Sequence, residues 1–363
     1  MNFMFLPRRY PPILHRTISF ISCFMVILAC HQQQEQGASF TSPVDFFESE
    51  KLLTGQKLGL PADSITYINY MATIGDSLLV LSDKNDRFNF ALVDPISGLL
   101  IRRFGRLGEG PSEIAFPTTI QLLPGARSCG FYVMTRWQYY EYSLTDILQG
   151  REQPYWQAGR FNVNYQRIYK LNDSAFIGVG LFKKRFVISN PQGDTIGQMG
   201  RYPFENKLSH SYNSLAMAYQ GRFSMSPDGR HLCFATIYAP NVNFIHLDAN
   251  RMVSSIDSLY SWPPLFKGSD GNVISADIDN KNLLGYLSVS TTNDRVYLLF
   301  SGKKLSDPEP YQSDVVLVFD WYGKPVVKYK LDKQLNTIAV DSRGETLYGF
   351  VDAEEPYIIK YRL

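Results

Sequence analysis

The sequence predicts an all-β chain built from repeated four-stranded antiparallel units, and three observations carry that prediction. Beyond residue 60, short runs rich in Val, Ile, Tyr, Phe and Leu alternate with clusters of Gly, Pro, Asn and Asp, the pattern of half-buried strands divided by turns. No segment holds apolar residues at a 3.6-residue spacing over three turns, which excludes long amphipathic helices. Aromatic residues make up 14% of the 363 positions, with 23 Tyr and 24 Phe, and such side chains favour pleated surfaces. A hydrophobic share of 45% lies in the globular range and excludes a disordered or collagen-like chain.

Aligning the turns gives the repeat. A strand, a tight turn and a strongly apolar strand recur around Gly75-Asp76-Ser77, Pro124-Gly125, Asn172-Asp173-Ser174, Asp228-Gly229-Arg230, Asn293-Asp294 and Ser342-Arg343-Gly344. With positions 76, 125, 173, 228, 293 and 343 as markers, the intervals are 49, 48, 55, 65 and 50 residues. Five of the six units contain a second turn: Asp94-Pro95-Ile96-Ser97-Gly98, Ser143-Leu144-Thr145-Asp146, Asn190-Pro191-Gln192-Gly193, Asp248-Ala249-Asn250 and Asp320-Trp321-Tyr322-Gly323. Two hairpins in each unit make a four-stranded blade, and repeated blades close radially into a propeller. The expected fold is a six-bladed β-propeller of four-stranded antiparallel blades over residues 45–363. The last unit reaches the C-terminus with three strands, which would leave an open edge. A strand from residues 46–60 is expected to complete that blade and close the ring. A seventh blade would need a repeat within 199–221 or 258–285, and neither segment shows one.

The N-terminus reads as an address. Arg8, Arg9 and Arg16 precede an apolar run over residues 18–29, and no acidic residue occurs before Glu35. A positive region followed by a short apolar one is the form of a signal peptide, and 12 residues are too few to span a bilayer. The run ends in Ile27-Leu28-Ala29-Cys30, similar to a lipobox, so residues 1–29 are expected to be a lipoprotein signal peptide. Cys30 is then the lipid attachment point, and residues 30–44 form a flexible tether. Three of the 36 basic residues belong to the leader, so from Cys30 onward 33 bases face 34 acids and the net charge changes from +2 to −1. That balance gives no basis for nucleic-acid binding. Cys129 and Cys233 lie far apart in strand-like runs and are expected as two buried thiols rather than a disulfide.

Three segments then resemble one family. They are Phe104-Gly105-Arg106-Leu107-Gly108-Glu109-Gly110-Pro111-Ser112-Glu113, the turn Ser226-Pro227-Asp228-Gly229-Arg230, and an end pattern from Phe319-Asp320-Trp321-Tyr322-Gly323 to Leu347-Tyr348. With the lipobox, they resemble the TolB-like six-bladed β-propeller lipoproteins of Bacteroidetes, with Ser112 standing where that family usually has Gly. The resemblance implies the propeller fold and a location at the cell envelope, as an outer-membrane lipoprotein facing either the periplasm or the cell surface. It implies no reaction. In the first segment Gly105, Gly108 and Gly110 permit positive φ and Pro111 fixes its own φ, so the chain can double back, with Glu109 or Glu113 accepting backbone N–H groups. A phosphate-cradling reading lacks the Gly-Lys-[Ser/Thr] ending.

No complete catalytic motif is present. Gly-x-Ser-x-Gly is missing, and Ser301-Gly302-Lys303-Lys304 matches Ser-x-x-Lys without its companion motifs. Asp277-Ile278-Asp279-Asn280 lacks the Gly and distal Glu of an EF-hand loop. His231 and His246 are expected opposite each other on paired strands, which makes them weak metal candidates, since a catalytic zinc usually needs three protein ligands. No cofactor is expected.

The long links fall on one face of the propeller: 104–116, 151–166, 199–221, 258–285 and 301–313. Long loops on a rigid scaffold are where binding usually resides. The candidate ligand-face residues are Arg136, Trp137, Lys183, Lys184, Arg185, His210, Tyr212, Tyr260, Trp262 and Tyr311. The expected role is a non-enzymatic, lipid-anchored and monomeric binding or scaffold module for an envelope protein, peptide or glycan. The alternative is a propeller-type glycan or lactone hydrolase or lyase with acidic residues in its central channel.

Overall fold

The computed structural model describes residues 41–58, 67–74, 78–83, 87–110, 113–125, 128–151, 155–207, 210–268 and 275–363. The expectations for the signal peptide, for Cys30, and for Pro111 and Ser112 lie outside the described residues. A 3-10 turn at Pro43–Phe46 straddles the position where the tether was expected to give way to the propeller, and Val44, Phe46 and Phe47 already pack on the core.

Two short strands, β1 (Glu50–Leu53) and β2 (Gln56–Lys57), come first. Blade 1 follows as β3 (Ile68–Ile74), β4 (Leu78–Asp83), β5 (Phe88–Val93) and β6 (Leu100–Arg106). Blade 2 is β7 (Pro117–Leu122), β8 (Ser128–Val133), β9 (Gln138–Ser143) and β10 (Tyr155–Arg160). Blade 3 is β11 (Tyr165–Asn172), β12 (Ala175–Gly180), β13 (Phe186–Ser189) and β14 (Thr195–Met199). Blade 4 is β15 (Gly221–Met225), β16 (His231–Thr236), β17 (Asn241–Leu247) and β18 (Val253–Tyr260). After a small hairpin of β19 (Phe266–Gly268) and β20 (Ala276–Ile278), blade 5 runs as β21 (Tyr286–Thr291), β22 (Val296–Phe300), β23 (Ser313–Phe319) and β24 (Pro325–Leu335). Blade 6 is β25 (Thr337–Val340), β26 (Thr346–Val351) and β27 (Tyr357–Arg362).

The open edge of blade 6 is closed as the sequence predicts. β2 pairs antiparallel with β27, Gln56 opposite Lys360, and Leu58 N–H donates to Ile358 O at 2.8 Å. The sequence did not announce the role of β1. It lies parallel to β24, Glu50 opposite Lys328, as a fifth strand of blade 5. One N-terminal segment thus covers the edges of two neighbouring blades.

Packing confirms the count of six. Each of six apolar clusters joins one pair of adjacent blades, as where Phe90 and Phe104 meet Phe131 and Tyr142 between blades 1 and 2. There the rings sit 5.0–6.2 Å apart, within the range of favourable aromatic pairs. The last cluster sets Ile68 and Val93 of blade 1 against Phe350 and Ile358 of blade 6 and so closes the ring. Much of the aromatic content is used in these seams. Cys129 and Cys233 are buried, free thiols, and burial pushes the Cys129 thiol up to about 12.

One expected long link is divided differently. Tyr155–Arg160 is outer strand β10, so only residues 161–164 join blade 2 to blade 3. The extra chain lies at the opposite face, where a helix spans Leu144–Gln149. Ser143 Oγ accepts the Asp146 N–H and caps this helix, and Gly150 ends it at φ 78°. The Ser143-to-Asp146 segment is therefore a helix start rather than a hairpin turn.

Candidate functional site

The six innermost strands, β3, β7, β11, β15, β21 and β25, surround a channel, and polar side chains stitch them together one repeat apart. Gln121 Nε2 donates to Lys170 O, and its Oε1 accepts the Lys170 N–H, both at 2.7 Å. Ser288 Oγ accepts the Ile338 N–H at 3.2 Å, and Ser290 Oγ accepts the Val340 N–H at 2.9 Å. Tyr169 Oη lies 2.9 Å from Ile120 O and 2.8 Å from Phe223 O, linking three blades. A closed ring of parallel inner strands has no backbone ladder between blades, so side chains do this work.

Inside the channel a cavity of about 250 Å³ is walled by Met71, Ile120, Leu122, Val289 and Val340 together with the hydroxyls of Thr73, Ser224 and Ser290. Towards the face of the inter-blade links lies a smaller cavity of about 150 Å³, lined by Tyr67, Asn69, Arg222, Tyr238, Tyr311 and Asn336 among others. Neither cavity is lined by a carboxylate or a histidine among the described residues.

Tyr70, which lines the first cavity, and Arg222, which lines the second, form a layer with Arg167. The Arg222 guanidinium sits over the Tyr70 ring at 4.3 Å from its centroid, and that of Arg167 at 6.0 Å. Arg167 Nη1 donates to Tyr70 Oη at 2.7 Å and to the carbonyl of Thr118. Arg222 Nη1 donates to Asn69 O at 2.8 Å, while its Nε is buried with no partner. Burial pushes the Arg222 pKa down; Tyr70 opposes that shift and Arg167 adds to it. A guanidinium nevertheless stays charged at neutral pH. Among the described residues no carboxylate forms an ion pair with either arginine.

The links of the candidate ligand face emerge at the same end of the propeller, yet of the residues named from the sequence only Tyr311 lines the mouth. Arg185 contradicts its expected exposure. It is 2% exposed, Nη2 donates to Tyr219 O at 2.8 Å, and rings of Phe186, Tyr202, Tyr219 and Phe234 surround the guanidinium at 4.6–5.9 Å. Its run of basic neighbours hid the alternation of the chain entering β13: Lys183 and Lys184 are exposed, and Arg185 turns inward. Arg136 is committed to structure, its Nη2 donating to Glu109 O and Gly110 O at 2.7 and 3.0 Å. Trp137 stands half exposed at φ 57°, and its carbonyl accepts the Phe161 N–H. His210 packs on Phe266 at 4.4 Å, and the exposed Tyr212 opens the helix Tyr212–Ala218. Tyr260 Oη accepts from Asn243 Nδ2 at 2.8 Å, and Trp262 packs into the seam between blades 4 and 5.

The glycine-rich segment is a tight inter-blade loop. Gly105 and Gly108 adopt φ 68° and 150°, and Gly110 N–H donates to Glu113 Oε2 at 3.0 Å. Gly110 itself does not use a positive φ. His231 and His246 are directly paired across β16 and β17, as expected. No group of three His, Cys, Asp or Glu side chains able to hold a metal occurs among the described residues.

The sequence reading missed Tyr70, Arg167, Arg222 and Asn336. A signal was present: Tyr70, Thr118, Arg167 and Arg222 follow one another at 48, 49 and 55 residues, close to the spacing of the turn markers. Charged side chains at one phase of the innermost strand must face the channel, because the other phase packs between blades.

The family model described as TolB-like 6-blade propeller-like matches residues 50–343. The chain belongs to that family. Among solved structures, a candidate exported protein of Bacteroides fragilis aligns at 13% identity with a TM-score of 0.54, covering 86% of this chain and 94% of its own. The Pan2 WD40 domain of Neurospora crassa aligns at 12% identity and a TM-score of 0.44, over 86% of this chain and 95% of that one. No curated protein sequence matches the chain. Among the described residues no helix is long and apolar enough to cross a membrane.

Proposed function

We propose that the protein is a lipid-anchored propeller of the bacterial cell envelope that binds a ligand at the mouth of its central channel and carries out no reaction on it. The observation that carries this reading is the mouth itself. Residues from blades 1, 4, 5 and 6 and their links converge on one small cavity lined by Arg222, which together with the neighbouring Arg167 has no carboxylate partner among the described residues. General acid–base chemistry needs a group that can exchange a proton near neutral pH, and the channel walls offer hydroxyls, apolar groups and guanidiniums. The family match, the lipobox ending at Cys30 and the fold shared with a candidate exported protein support the location.

Two measurements test this. A Cys30→Ala chain should leave the membrane fraction, and unchanged fractionation overturns the anchor. The membrane-anchored chain should capture an envelope protein or glycan that a Tyr311→Arg variant, with its mouth filled, does not. Equal capture by both removes the mouth from the function, and turnover of a lactone or glycan by the purified chain overturns the non-enzymatic reading.

A further inference from the structure

The arginine layer assigns a ligand chemistry to the mouth, an inference that rests on the mouth being the binding site. Two guanidiniums share one tyrosine ring, at 4.3 and 6.0 Å from its centroid, and among the described residues no carboxylate is paired to either. Like charges gathered in a partly dry site repel, and each loses hydration that one or two neutral carbonyl and hydroxyl partners do not replace. In this protein the other partly buried cation of an inner strand is compensated: Lys170 Nζ holds Glu141 and Asp173, both at 2.7 Å. Among the described cations of the inner strands, the channel arginines are therefore the pair left for an external anion.

The donors that remain shape that anion. Arg222 Nη1 is taken by Asn69 O, and Arg167 Nη1 by Thr118 O and Tyr70 Oη. Arg222 Nε is buried and unpaired, and a planar guanidinium edge suits a carboxylate. Asn336 adds a second constraint. Its Oδ1, in the wall of the same cavity, is buried with no hydrogen-bond donor. A ligand with an N–H or O–H beside its carboxylate satisfies both groups. Around them Tyr67, Tyr238, Tyr311 and Leu287 give an aromatic and apolar rim. The cavity, about 150 Å³, is smaller than the ~300 Å³ lower end for drug-sized ligands.

We propose that the mouth binds a small organic carboxylate that carries a hydrogen-bond donor next to the acid group and an apolar or aromatic tail, with the acid at Arg222 and the donor at Asn336. Hippurate has all three features and serves as the probe, against its neutral amide and inorganic phosphate, in calorimetric titrations of the full chain in detergent. Hippurate should bind at least ~10-fold more tightly than either control, as expected for charge-assisted hydrogen bonds. Arg222→Gln should weaken it by a similar factor, and Arg222→Lys by less. A measurement on the unaltered protein guards against a variant that does not fold: phenylglyoxal modification of Arg222, mapped by mass spectrometry, should slow with hippurate and not with the amide. Equal binding of acid and amide, tighter binding of phosphate, or an Arg222 reactivity that hippurate leaves unchanged overturns the assignment. If an envelope partner is captured through the mouth while hippurate fails to bind, the carboxylate assignment falls and the binding role stands. If neither binds, both fall.

Discussion

His231 Nδ1 lies 3.1 Å from His246 Nδ1, and the far nitrogen of His246 faces Asp257 Oδ2 at 2.9 Å. A carboxylate only accepts, so His246 carries its hydrogen on Nε2 and offers Nδ1 as an acceptor to the Nδ1–H of His231. Each ring also stacks on an aromatic of the adjacent blade, His231 on Trp321 at 4.9 Å and His246 on Tyr322 at 5.1 Å. The pair forms part of the seam between blades 4 and 5.

Burial pushes the His231 pKa below 6.5, His246 and Arg230 act in the same direction, and Asp228 opposes them. The unfolded chain therefore binds a proton at a pH where the folded chain does not. The stability held by neutral His231 is complete above about pH 6.5 and is lost as pH falls through its lower folded value. Melting temperature should decline from pH 7 towards pH 5, and His231→Phe, which keeps a ring on Trp321, should flatten the decline. An identical pH profile in the variant would remove His231 as its cause.

The second hairpins carry an odd member. In blades 1, 3, 4 and 5 the side chains of Asp94, Asn190, Asp248 and Asp320 accept a backbone N–H within the turn, from Ile96, Gln192, Asn250 and Tyr322 respectively. The turn then passes through a positive φ at Gly98, Gly193, Arg251 and Gly323. Arg251, at φ 58°, bears a left-handed strain of about 1–2 kcal/mol, partly offset because glycine loses more freedom on folding. Arg251→Gly should stabilise the chain by about 0.5–1 kcal/mol, read as a higher denaturation midpoint at unchanged slope.

These turns also explain what was legible. Asx-type residues followed by glycine announce hairpins locally, so the count of blades and the closing strand could be read directly. The site could not. Arg167 and Arg222 belong to strands more than 50 residues apart in the chain, and their meeting over Tyr70 depends on the closed ring. Arg185 misled for a related reason, since a Lys-Lys-Arg run looks solvated until the four rings that enclose its last member are assembled. Strand β1 was hidden because a parallel edge pairing has no turn signal.

Ring closure is testable. Leu58 is 3% exposed between blades 1 and 6, and its N–H extends the pairing of β2 with β27. Leu58→Ala should cost about 2–5 kcal/mol and render β27 the first strand to exchange its amide hydrogens. Unchanged protection there would mean that the ring stays shut without this staple.

Arg185 separates packing from charge. Its guanidinium is dry, its Nε lacks a partner, and burial pushes its pKa down. The four surrounding rings hold the stem and head as they would a long apolar side chain, and Nη2 donates to Tyr219 O. A buried charge replaced by an apolar group of similar length is often tolerated, whereas truncation leaves a void. Arg185→Met should therefore stay within about 1–2 kcal/mol of the parent chain, and Arg185→Ala should lose about 3 kcal/mol or more. Both should bind hippurate as the parent does, because Arg185 does not line the mouth. A Met variant as damaged as the Ala variant would show that the ring cage depends on the cation itself.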